Sequence, residues 1–394
     1  MIVTHLNLSN YRNYAVADVA MAPGANLFVG RNGQGKTNLV EALGYLSTLG
    51  SHRVSTDAAL IRAGEDAAVI RARLQHNGRD ILAEVQINRT GANRAQINRG
   101  QIKPRELPRY FSSVLFAPED LGIIRGDPSG RRRFLDQLLV LHTPRLAGVL
   151  TDYERTLKQR NSLLKSARVS GLKANQLTTL EIWDDKLVSL GSEIVDERVA
   201  LIESLRQPIR DAYASVVGDD HRPRLTALLS IDGVDTDTDV PSTAPSANLG
   251  GAPAAGTAER FRTALALQRR SELERGLTLV GPHRDDVLFE LNSLPVKGYA
   301  SHGETWSFAL ALKLASADLL RRDSNTGDPV LILDDVFAEL DLNRRARLAA
   351  AVAGFEQVLI TAAVLDDVPE ALTAQTVHIS AGRILETAEE VSRG

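Results

Sequence analysis

Eight residues near the N-terminus have the types and spacing of a loop that binds phosphate. Residues 30–37 read Gly-Arg-Asn-Gly-Gln-Gly-Lys-Thr, which fits the pattern Gly-x-x-x-x-Gly-Lys-Ser/Thr. The glycines let the backbone curl with its N–H groups inward, which makes a concave anion site at a helix N-terminus. The run 26–29 before the loop has the composition of a strand, and residues 38–43 after it have that of a helix. This context predicts nucleotide binding by Gly30, Arg31, Asn32, Gly33, Gln34, Gly35, Lys36, Thr37 and Asn38.

A second stretch supplies the carboxylates that a phosphate loop needs. Residues 329–333 read Pro-Val-Leu-Ile-Leu, and Asp334 and Asp335 follow directly. An apolar strand that ends in aspartate is what a Mg²⁺ site opposite a phosphate loop requires. We expect Thr37 and Asp334 to hold Mg²⁺, and Lys36 to reach the β- and γ-phosphates of ATP. Asp335 is predicted to orient the attacking water, so Asp335, Lys36 and Asp334 form the predicted catalytic set.

The composition is that of a globular protein with more than one domain. The chain has 394 residues, 43% of them hydrophobic, and a net charge of −3, and this length predicts two or three domains. Cysteine is absent, which excludes disulfides and cysteine-based metal sites and suits a reducing compartment. No apolar run reaches the ~18 residues of a membrane span, and the N-terminus lacks the pattern of a signal peptide. We therefore expect a cytoplasmic protein that does not associate with a membrane.

The order of the predicted elements indicates an α/β fold with a helical insertion. Residues 1–30 alternate like strands, and residues 68–103 carry short alternating runs around the hairpin signal Asn-Gly, which together predict an antiparallel β subdomain. Residues 130–206 show helical periodicity. Residues 231–258 lack large apolar side chains and are predicted to form a flexible loop.

A third stretch, residues 299–304, resembles the signature loop of ATP-binding-cassette proteins. It reads Tyr-Ala-Ser-His-Gly-Glu where the commonest form is Leu-Ser-Gly-Gly-Gln, so Ser301 and Gly303 match and His302 and Glu304 depart. In that class the loop caps the γ-phosphate of a nucleotide held by a second subunit, and a helix N-terminus with a hydroxyl group suits this task. Ser301 and Gly303 are therefore predicted to contact ATP across a homodimer.

Two further stretches bear on the same resemblance. Residues 338–341, Ala-Glu-Leu-Asp, match the loop that crosses the dimer interface in cassette proteins. In transporter cassettes a switch histidine follows the next strand, whereas Thr361 and Ala362 stand there in this chain. Asp335 is also one methylene shorter than the Glu usual in fast cassette ATPases. We therefore predict slow ATP hydrolysis.

The layout of these motifs resembles the head domains of SMC proteins and, most closely, the RecF family of bacterial recombination mediators. The stretches that carry the resemblance are Asn-Tyr-Arg-Asn-Tyr at 10–14, Ser-His-Arg at 51–53, Phe-Ala-Pro-Glu-Asp-Leu at 116–121, Arg-Arg-Arg-Phe-Leu-Asp at 131–136, Gly-Pro-His-Arg-Asp-Asp at 281–286 and Leu-Asp-Asp-Val-Phe-Ala-Glu-Leu-Asp at 333–341. The resemblance implies a P-loop ATPase head of cassette type, which we place at residues 1–125 and 270–394. The helical lobe inserted in it would span residues 126–269.

The same resemblance implies partners and further site residues. RecF-like proteins form a dimer when they bind ATP, and the dimer binds double-stranded DNA and junctions of single- and double-stranded DNA. With RecO and RecR they help to load RecA at gaps, in a cytoplasmic, nucleoid-associated setting. Arg12, with Tyr11 and Asn13, is expected at the adenine or ribose, and Glu119 or Asp120 stands where cassette proteins have the Q-loop glutamine.

A basic segment in the insertion is the candidate DNA surface. Residues 121–175 contain eleven Lys and Arg against four Asp and Glu, a local charge of +7. The predicted phosphate contacts are Lys158, Arg160, Lys165, Arg168 and Lys173, while at least one of Arg131, Arg132 and Arg133 should make internal contacts. A solvated helix face explains such a run about as well, and the resemblance favours DNA.

The alternative function is that of the cassette ATPase subunit of a transporter. Such a subunit would keep the switch histidine, and it would lack so large a helical insertion with a basic bias. The two hypotheses share the ATP site and differ in whether DNA is bound.

Overall fold

The computed structural model describes residues 1–171, 178–234, 256–324 and 327–385. Contacts within the chain divide it into two compact units. Unit 1 comprises residues 1–121, 208–220 and those from 306 onward, and unit 2 comprises residues 122–207 and 221–305. None of the helices in the described ranges is both long enough and apolar enough to cross a bilayer.

One sheet of unit 1 is antiparallel, as predicted. Its order is β2-β1-β4-β5-β6-β7, and its strands are β1 Ile2–Tyr11, β2 Tyr14–Ala20, β4 Ala67–His76, β5 Arg79–Asn88, β6 Arg94–Ile97 and β7 Gly100–Ile102. The predicted hairpin is confirmed, because His76 pairs with Arg79 across the turn. Asn77 and Gly78 both have positive φ, 48° and 72°, as a two-residue hairpin turn requires.

The other sheet of unit 1 carries the nucleotide motifs. Its order is β15-β14-β3-β13-β12-β8, and its strands are β3 Gly24–Val29, β8 Ser113–Phe116, β12 Val330–Asp334, β13 Gln357–Ala362, β14 Thr376–Ser380 and β15 Arg383–Leu385. All neighbours are parallel except β14 and β15. The strand before the phosphate loop, β3, is thus separated from the aspartate strand, β12, by β13. The ends of these three strands lie along one edge of the sheet.

The helices of unit 1 include α1 Lys36–Thr48, most of α8 His302–Asp323, and α9 Leu342–Val352. Helix α1 is buried on several sides, with Leu39, Val40, Leu43 and Leu46 inaccessible to solvent, as expected for a helix that is apolar around most of its surface. These residues share one core with Phe28, Ile332 and Leu359 and with the antiparallel sheet. Packing from both sheets therefore holds the helix that begins at Lys36.

Unit 2 is mostly helical. The helices that contribute to it are α2 Leu121–Arg125, α3 Pro128–His142, α4 Leu146–Ser170, α5 Thr178–Val217, α6 Thr257–Arg275 and the short α7 Val296–Tyr299, and its sheet has the order β11-β10-β9 with β9 Arg224–Leu228, β10 Asp286–Leu291 and β11 Leu294–Pro295. Tyr153 of α4, Leu187 of α5 and Phe261 of α6 share a core.

The two units differ from the predicted division in three stretches: residues 122–125 and 270–305 fall in unit 2, and residues 208–220 fall in unit 1. The prediction assigned residues 270–305 to the head, whereas their contacts place them in unit 2. The reason is β10, which pairs along its length with β9 of the insertion. Most of the predicted loop 231–258 lies outside the described residues.

The motif at 281–286 forms buried polar contacts inside unit 2. His283 Nδ1 lies 2.7 Å from the Tyr153 hydroxyl, and burial lowers the pKa of His283 to about 3. Asp285 accepts hydrogen bonds from the backbone N and the hydroxyl of Ser230 at 2.8 and 2.9 Å. Burial raises the pKa of Asp285 to about 6. The motif therefore has a structural role in the lobe.

Several arginines of the basic segment are used internally. Arg131 binds both carboxylate oxygens of Asp286, at 2.6 and 2.9 Å, and Arg132 donates to the Asp285 carbonyl at 2.7 Å. This confirms that part of the arginine triplet makes internal contacts. Arg133 is exposed.

The structure corrects the prediction that Arg160 faces DNA. Its side chain is fully buried, and it donates to Asp184 at 2.8 Å, Glu272 at 2.6 Å and Thr278 at 2.7 Å. Glu272 itself has no exposed surface. The sequence could not show this, because Glu272 lies 112 residues further along the chain.

Replacing Arg160 by Met should destabilise unit 2. The substitution leaves the Glu272 carboxylate buried without its counter-ion, and breaking such a pair costs roughly 3–5 kcal/mol of unfolding free energy. The measurement is urea unfolding followed by Trp183 fluorescence in a Trp306→Phe background, since the chain has 2 tryptophans. Lys158→Ala, an exposed change on the same helix, is the control and should stay within about 0.5 kcal/mol. Equal stability of the two variants would contradict the assignment of Arg160 to the core.

Candidate active site

Close packing around the phosphate loop explains two of its glycines. A Cβ on Gly30 would lie 2.2 Å from the Ile379 carbonyl oxygen, so β14 leaves no room for a side chain there. Gly35 has φ 117°, and a Cβ on it would lie 2.7 Å from Asn13 Nδ2 and 2.8 Å from the Tyr14 hydroxyl. That hydroxyl donates to the Gly35 carbonyl at 3.1 Å. The loop is therefore held against the β1–β2 turn and β14.

Lys36 is the buried cation of the loop. Its ammonium donates to the carbonyl oxygens of Gly30 and Arg31 at 2.5 and 3.2 Å and to Asn32 Oδ1 at 3.4 Å. Burial lowers the pKa of Lys36, while Asp335 and Asp334 act in the opposite direction. The structure thus places the lysine under the electrostatic influence of both predicted carboxylates.

A single threonine connects those two aspartates. Thr361 Oγ1 donates to Asp334 Oδ1 at 2.5 Å and accepts from Asp335 N at 2.9 Å. Thr37 Oγ1 donates to the same Asp334 oxygen at 3.1 Å. The sheet order explains this meeting, because Thr361 is the penultimate residue of β13, the strand between β3 and β12. Burial raises the pKa of Asp334, and the hydrogen bond from Thr361 opposes that rise.

Asp335 has an unusual backbone and an unsatisfied carboxylate oxygen. Its φ is 55°, in the left-handed region that residues other than glycine seldom adopt. In the described part of the chain its buried Oδ1 has no hydrogen-bond partner. Buried polar atoms are almost always paired, and strained backbone is concentrated at functional sites. Both features fit a residue that receives a ligand, such as the attacking water predicted from the sequence.

The residues around Asp334 suit Mg²⁺ bound together with phosphates. No group of three or more His, Asp or Glu side chains in the described ranges could by itself hold a metal. Mg²⁺ commonly uses one or two carboxylates, with water and substrate phosphates completing its octahedron. Thr37 Oγ1 and Asp334 Oδ1 lie 3.1 Å apart. They supply one hydroxyl and one carboxylate to which Mg²⁺ could bind. When bound, the ion would neutralise charge on the phosphate oxygens.

Three residues at the β1–β2 turn were predicted to contact the nucleotide, and one of them, Asn13, contacts the phosphate loop. Asn13 donates to the Gln34 carbonyl at 3.1 Å and accepts from Asn38 Nδ2 at 2.8 Å. Arg12 instead binds both carboxylate oxygens of Glu41, at 2.9 and 2.6 Å. Tyr11 is fully buried, so its side chain offers no surface to a nucleotide. Arg12 Nη1 also donates to the Ala59 carbonyl at 3.1 Å. The contacts of Arg12 therefore support α1 and its surroundings, and its contact with a nucleotide stays a prediction.

A second turn, which sequence reasoning missed, also contacts the loop. The backbone N of Ala381 donates to Gln34 Oε1 at 2.5 Å, and that of Gly382 donates to the Gln34 carbonyl at 2.9 Å. A cavity of about 220 Å³ lies beside this turn, lined by Gly30, Arg31, Gln34, His378 and neighbouring residues. The turn follows β14, and no motif in the sequence marks it as part of the site.

The signature stretch forms a capped helix start in unit 2. Ser301 Oγ accepts from Glu304 N at 3.2 Å, and Ser301 N donates to Glu304 Oε2 at 2.8 Å. This reciprocal arrangement is a capping box, and it accounts for Glu304, where the sequence departs from the commonest signature. Ser301 is exposed, and Gly303 lies in the first turn of α8.

The predicted interface loop and the Q-loop candidates lie in unit 1. Asp341 caps α9 by accepting from Arg344 N at 2.9 Å, and the next residue, Leu342, is 80% exposed. Asp120 is held by Ala117 N at 2.9 Å and pairs with Lys313 at 2.9 Å. Of the two Q-loop candidates, Glu119 is the exposed one, and its carboxylate lies 3.9 Å from Arg53 Nε.

A family model, a relative in sequence and a solved structure each match almost the whole length of the chain. Residues 2–384 match the family model of the RecF/RecN/SMC N terminal domain. The DNA replication and repair protein RecF of Clavibacter sepedonicus is 67% identical over 389 residues, which is 98% of this chain and 95% of that protein. The solved structure of the recombination mediator protein RecF with ATP, of the RecFOR pathway, has a TM-score of 0.84 at 28% identity, covering 98% of this chain and 97% of the other. An Smc head bound to the C-terminal winged-helix domain of ScpA covers all of both chains with a TM-score of 0.52 at 13% identity, and thus shares the fold alone.

Two glycine-to-alanine changes in unit 1 should have opposite effects. Gly30→Ala places a methyl group against the Ile379 carbonyl, and such overpacking should lower the unfolding free energy by roughly 1–3 kcal/mol and weaken ADP binding. Gly44→Ala, inside α1, meets only Leu115 Cδ1 at 3.5 Å, and it should raise stability by about 0.4–1 kcal/mol. Urea unfolding followed by Trp306 fluorescence in a Trp183→Phe background measures both effects. A stable Gly30→Ala variant with unchanged ADP affinity would contradict the close packing described for the loop.

Proposed function

Because the chain belongs to the RecF family, we propose that it is an ATP-dependent DNA-binding protein that mediates recombinational repair. In the proposed cycle, ATP joins two copies of the chain. The dimer binds double-stranded DNA at a single-stranded gap or at a junction of single- and double-stranded DNA, and slow hydrolysis releases it. The proposed protein partners are RecR, acting with RecO, and RecA, whose loading at the gap the complex promotes. The proposed location is the cytoplasm, in association with the nucleoid.

The observation that carries this proposal is the arrangement of hydroxyl groups and carboxylates beside the phosphate loop. Thr37 and Thr361 both donate to Asp334, while a buried oxygen of the neighbouring Asp335 has no partner in the described ranges. This pattern is what a bound phosphate chain with its Mg²⁺ would use. The solved RecF structure with ATP supports the choice of nucleotide.

Dimerisation is proposed because the chain carries both halves of a composite site. Unit 1 has the phosphate loop, and unit 2 has the exposed Ser301 at the start of α8. In cassette proteins a signature loop contacts the nucleotide of the other subunit. ATP held between two copies stabilises the dimer by its binding energy, so the dimer should depend on ATP.

Slow hydrolysis is proposed from two residues of the site. Thr361 stands where a transporter cassette has its switch histidine, and both hydrogen-bonding functions of its hydroxyl are used by Asp334 and Asp335. Asp335 also reaches one methylene less far than the glutamate of fast cassette ATPases. A weak ATPase with these features suits a timer that limits how long DNA is held.

The proposed DNA surface is one face of α4. Exposed residues recur there at spacings of three and four: Arg155, Lys158, Ser162, Lys165 and Val169. Lys158 and Lys165 are about 10 Å apart along the helix at 1.5 Å per residue. Exposed lysines at this spacing can contact neighbouring phosphates of a duplex, which gives binding that is independent of base sequence and sensitive to salt.

Three substitutions should separate dimer formation from hydrolysis. Lys36→Met removes the phosphate-binding cation, and Ser301→Arg fills the helix start that would cap the partner's nucleotide. Sedimentation velocity should therefore show both variants as monomers with ATP. Asp335→Asn keeps the size and backbone preference of the residue, so it should still dimerise with ATP while turnover falls by at least about 100-fold.

The wild type with ADP is the control for this set. It should sediment as a monomer, because ADP lacks the γ-phosphate that the second copy caps. Dimerisation of Lys36→Met or Ser301→Arg to the wild-type extent would refute the composite site. An ATP-dependent dimer with no affinity for DNA would favour the transporter alternative.

Replacing Lys158 and Lys165 together by Ala should weaken DNA binding at every sequence. The plot of log K against log salt concentration has a negative slope, and each lost phosphate contact should make it less steep by roughly 0.9. Fluorescence anisotropy with a labelled duplex, measured over a salt series in the presence of ATP, gives the slope. The matched control is Arg79→Ala with Lys103→Ala, which removes the same charge from exposed positions of unit 1. Equal slopes for the two double variants would place the DNA surface elsewhere.

A further inference from the structure

We propose that His52 is a further binding residue for the terminal phosphate of the nucleotide, an assignment that rests on the ATP site proposed above. His52 lies in the loop after α1, in the stretch Ser-His-Arg. Its Nε2 atom is buried, and no hydrogen-bond partner for it exists within the described ranges. A buried ring nitrogen without a partner is uncommon, and a group that receives a ligand is one explanation for it. In the neutral tautomer with a proton on Nε2, or in the protonated ring, this atom donates a hydrogen bond, and a phosphate oxygen is a strong acceptor.

The residue before His52 ties its loop to α1. Ser51 Oγ donates to Glu41 Oε1 at 2.5 Å and accepts from the backbone N of Arg53 and Val54 at 2.9 and 3.0 Å. Glu41 is buried on α1, and Arg12 binds both of its carboxylate oxygens. The serine thus closes a tight turn against a rigid part of the phosphate-binding helix.

The residue after His52 anchors the other side of the loop. Arg53 Nη1 donates to Asn38 Oδ1 at 2.8 Å, and Asn38 directly follows Thr37 of the phosphate loop. Both neighbours of His52 are therefore fixed to the first two turns of α1. The backbone at His52 is thus held in place, so that less conformational entropy is lost when the His52 side chain binds a ligand.

His52 also lies within electrostatic range of the metal-facing carboxylate. His52 is among the ionisable groups close enough to Asp334 to influence its carboxylate. Within the described part of unit 1, His52 Nε2 and Asp335 Oδ1 are both buried and without a hydrogen-bond partner, and both residues belong to the surroundings of Asp334. The terminal phosphate and its attacking water are the groups expected there.

The chain lacks the histidine through which a transporter cassette contacts the γ-phosphate. A transporter cassette contacts the γ-phosphate through a histidine after the strand that corresponds to β13, and Thr361 and Ala362 stand there in this chain. The Thr361 hydroxyl is occupied by the two aspartates. His52 would supply a ring N–H to the terminal phosphate from the loop after α1 instead.

The test compares nucleotides that differ in the terminal phosphate. Binding of ATPγS and of ADP is measured by competition with a fluorescent nucleotide in Mg²⁺, in a Ser301→Arg background that removes any contribution from dimerisation. His52→Phe should weaken ATPγS binding by roughly tenfold or more, the effect of a lost hydrogen bond to a charged group, and should leave ADP binding unchanged. His52→Gln keeps an N–H donor on a shorter side chain and should retain part of the ATPγS affinity.

The control is His5→Phe, an exposed position on β1, which should change neither affinity. If His52→Phe leaves both affinities unchanged, or lowers both by the same factor, His52 has only a structural role and the proposal is wrong. If the Ser301→Arg protein with His52 intact binds neither nucleotide, the proposed ATP site itself fails. These outcomes keep the test of His52 distinct from the test of the proposed function.

Discussion

The hydroxyl group of Thr361 is the constraint on which the active-site geometry depends. It donates to the Asp334 carboxylate and accepts from the Asp335 backbone at the same time. This pair of contacts fixes the carboxylate beside Thr37 and holds Asp335 in its left-handed conformation. The sheet order makes it possible, because β13 lies between the phosphate-loop strand and the aspartate strand. Thr361, the penultimate residue of β13, is thus placed to position the two aspartates opposite the phosphate loop.

The role of Thr361 distinguishes this chain from the transporter cassettes. In a transporter cassette the corresponding place is given to a histidine that contacts the γ-phosphate, and hydrolysis is fast. In this chain Thr361 occupies that place and its hydroxyl group positions two aspartates. We propose that His52 contacts the terminal phosphate instead. The site built in this way suits a protein that holds ATP and DNA for a time, and the proposed role in recombinational repair requires such a hold.

The parts of the site that depend on local pattern were predictable from the sequence. The phosphate loop and the aspartate strand each lie in one short stretch whose spacing is set by the backbone, and the fold class followed from them. The bridge through Thr361, the burial of Arg160 against Glu272 and the contact of Gln34 with the turn at 381–382 were not predictable. Each of these joins segments that are far apart in sequence, so it depends on strand order and helix packing.

Complementation between two defective variants tests most directly whether two copies of the chain share one nucleotide. Lys36→Met chains labelled with a donor dye are mixed with Ser301→Arg chains labelled with an acceptor, and energy transfer is followed as ATP is added. Only the mixed pair contains one intact composite site, with Lys36 from one copy and Ser301 from the other. We expect ATP-dependent transfer in the mixture, and none when donor-labelled and acceptor-labelled chains of the same variant are mixed. A mixture that shows no transfer with ATP would contradict a nucleotide shared between two copies.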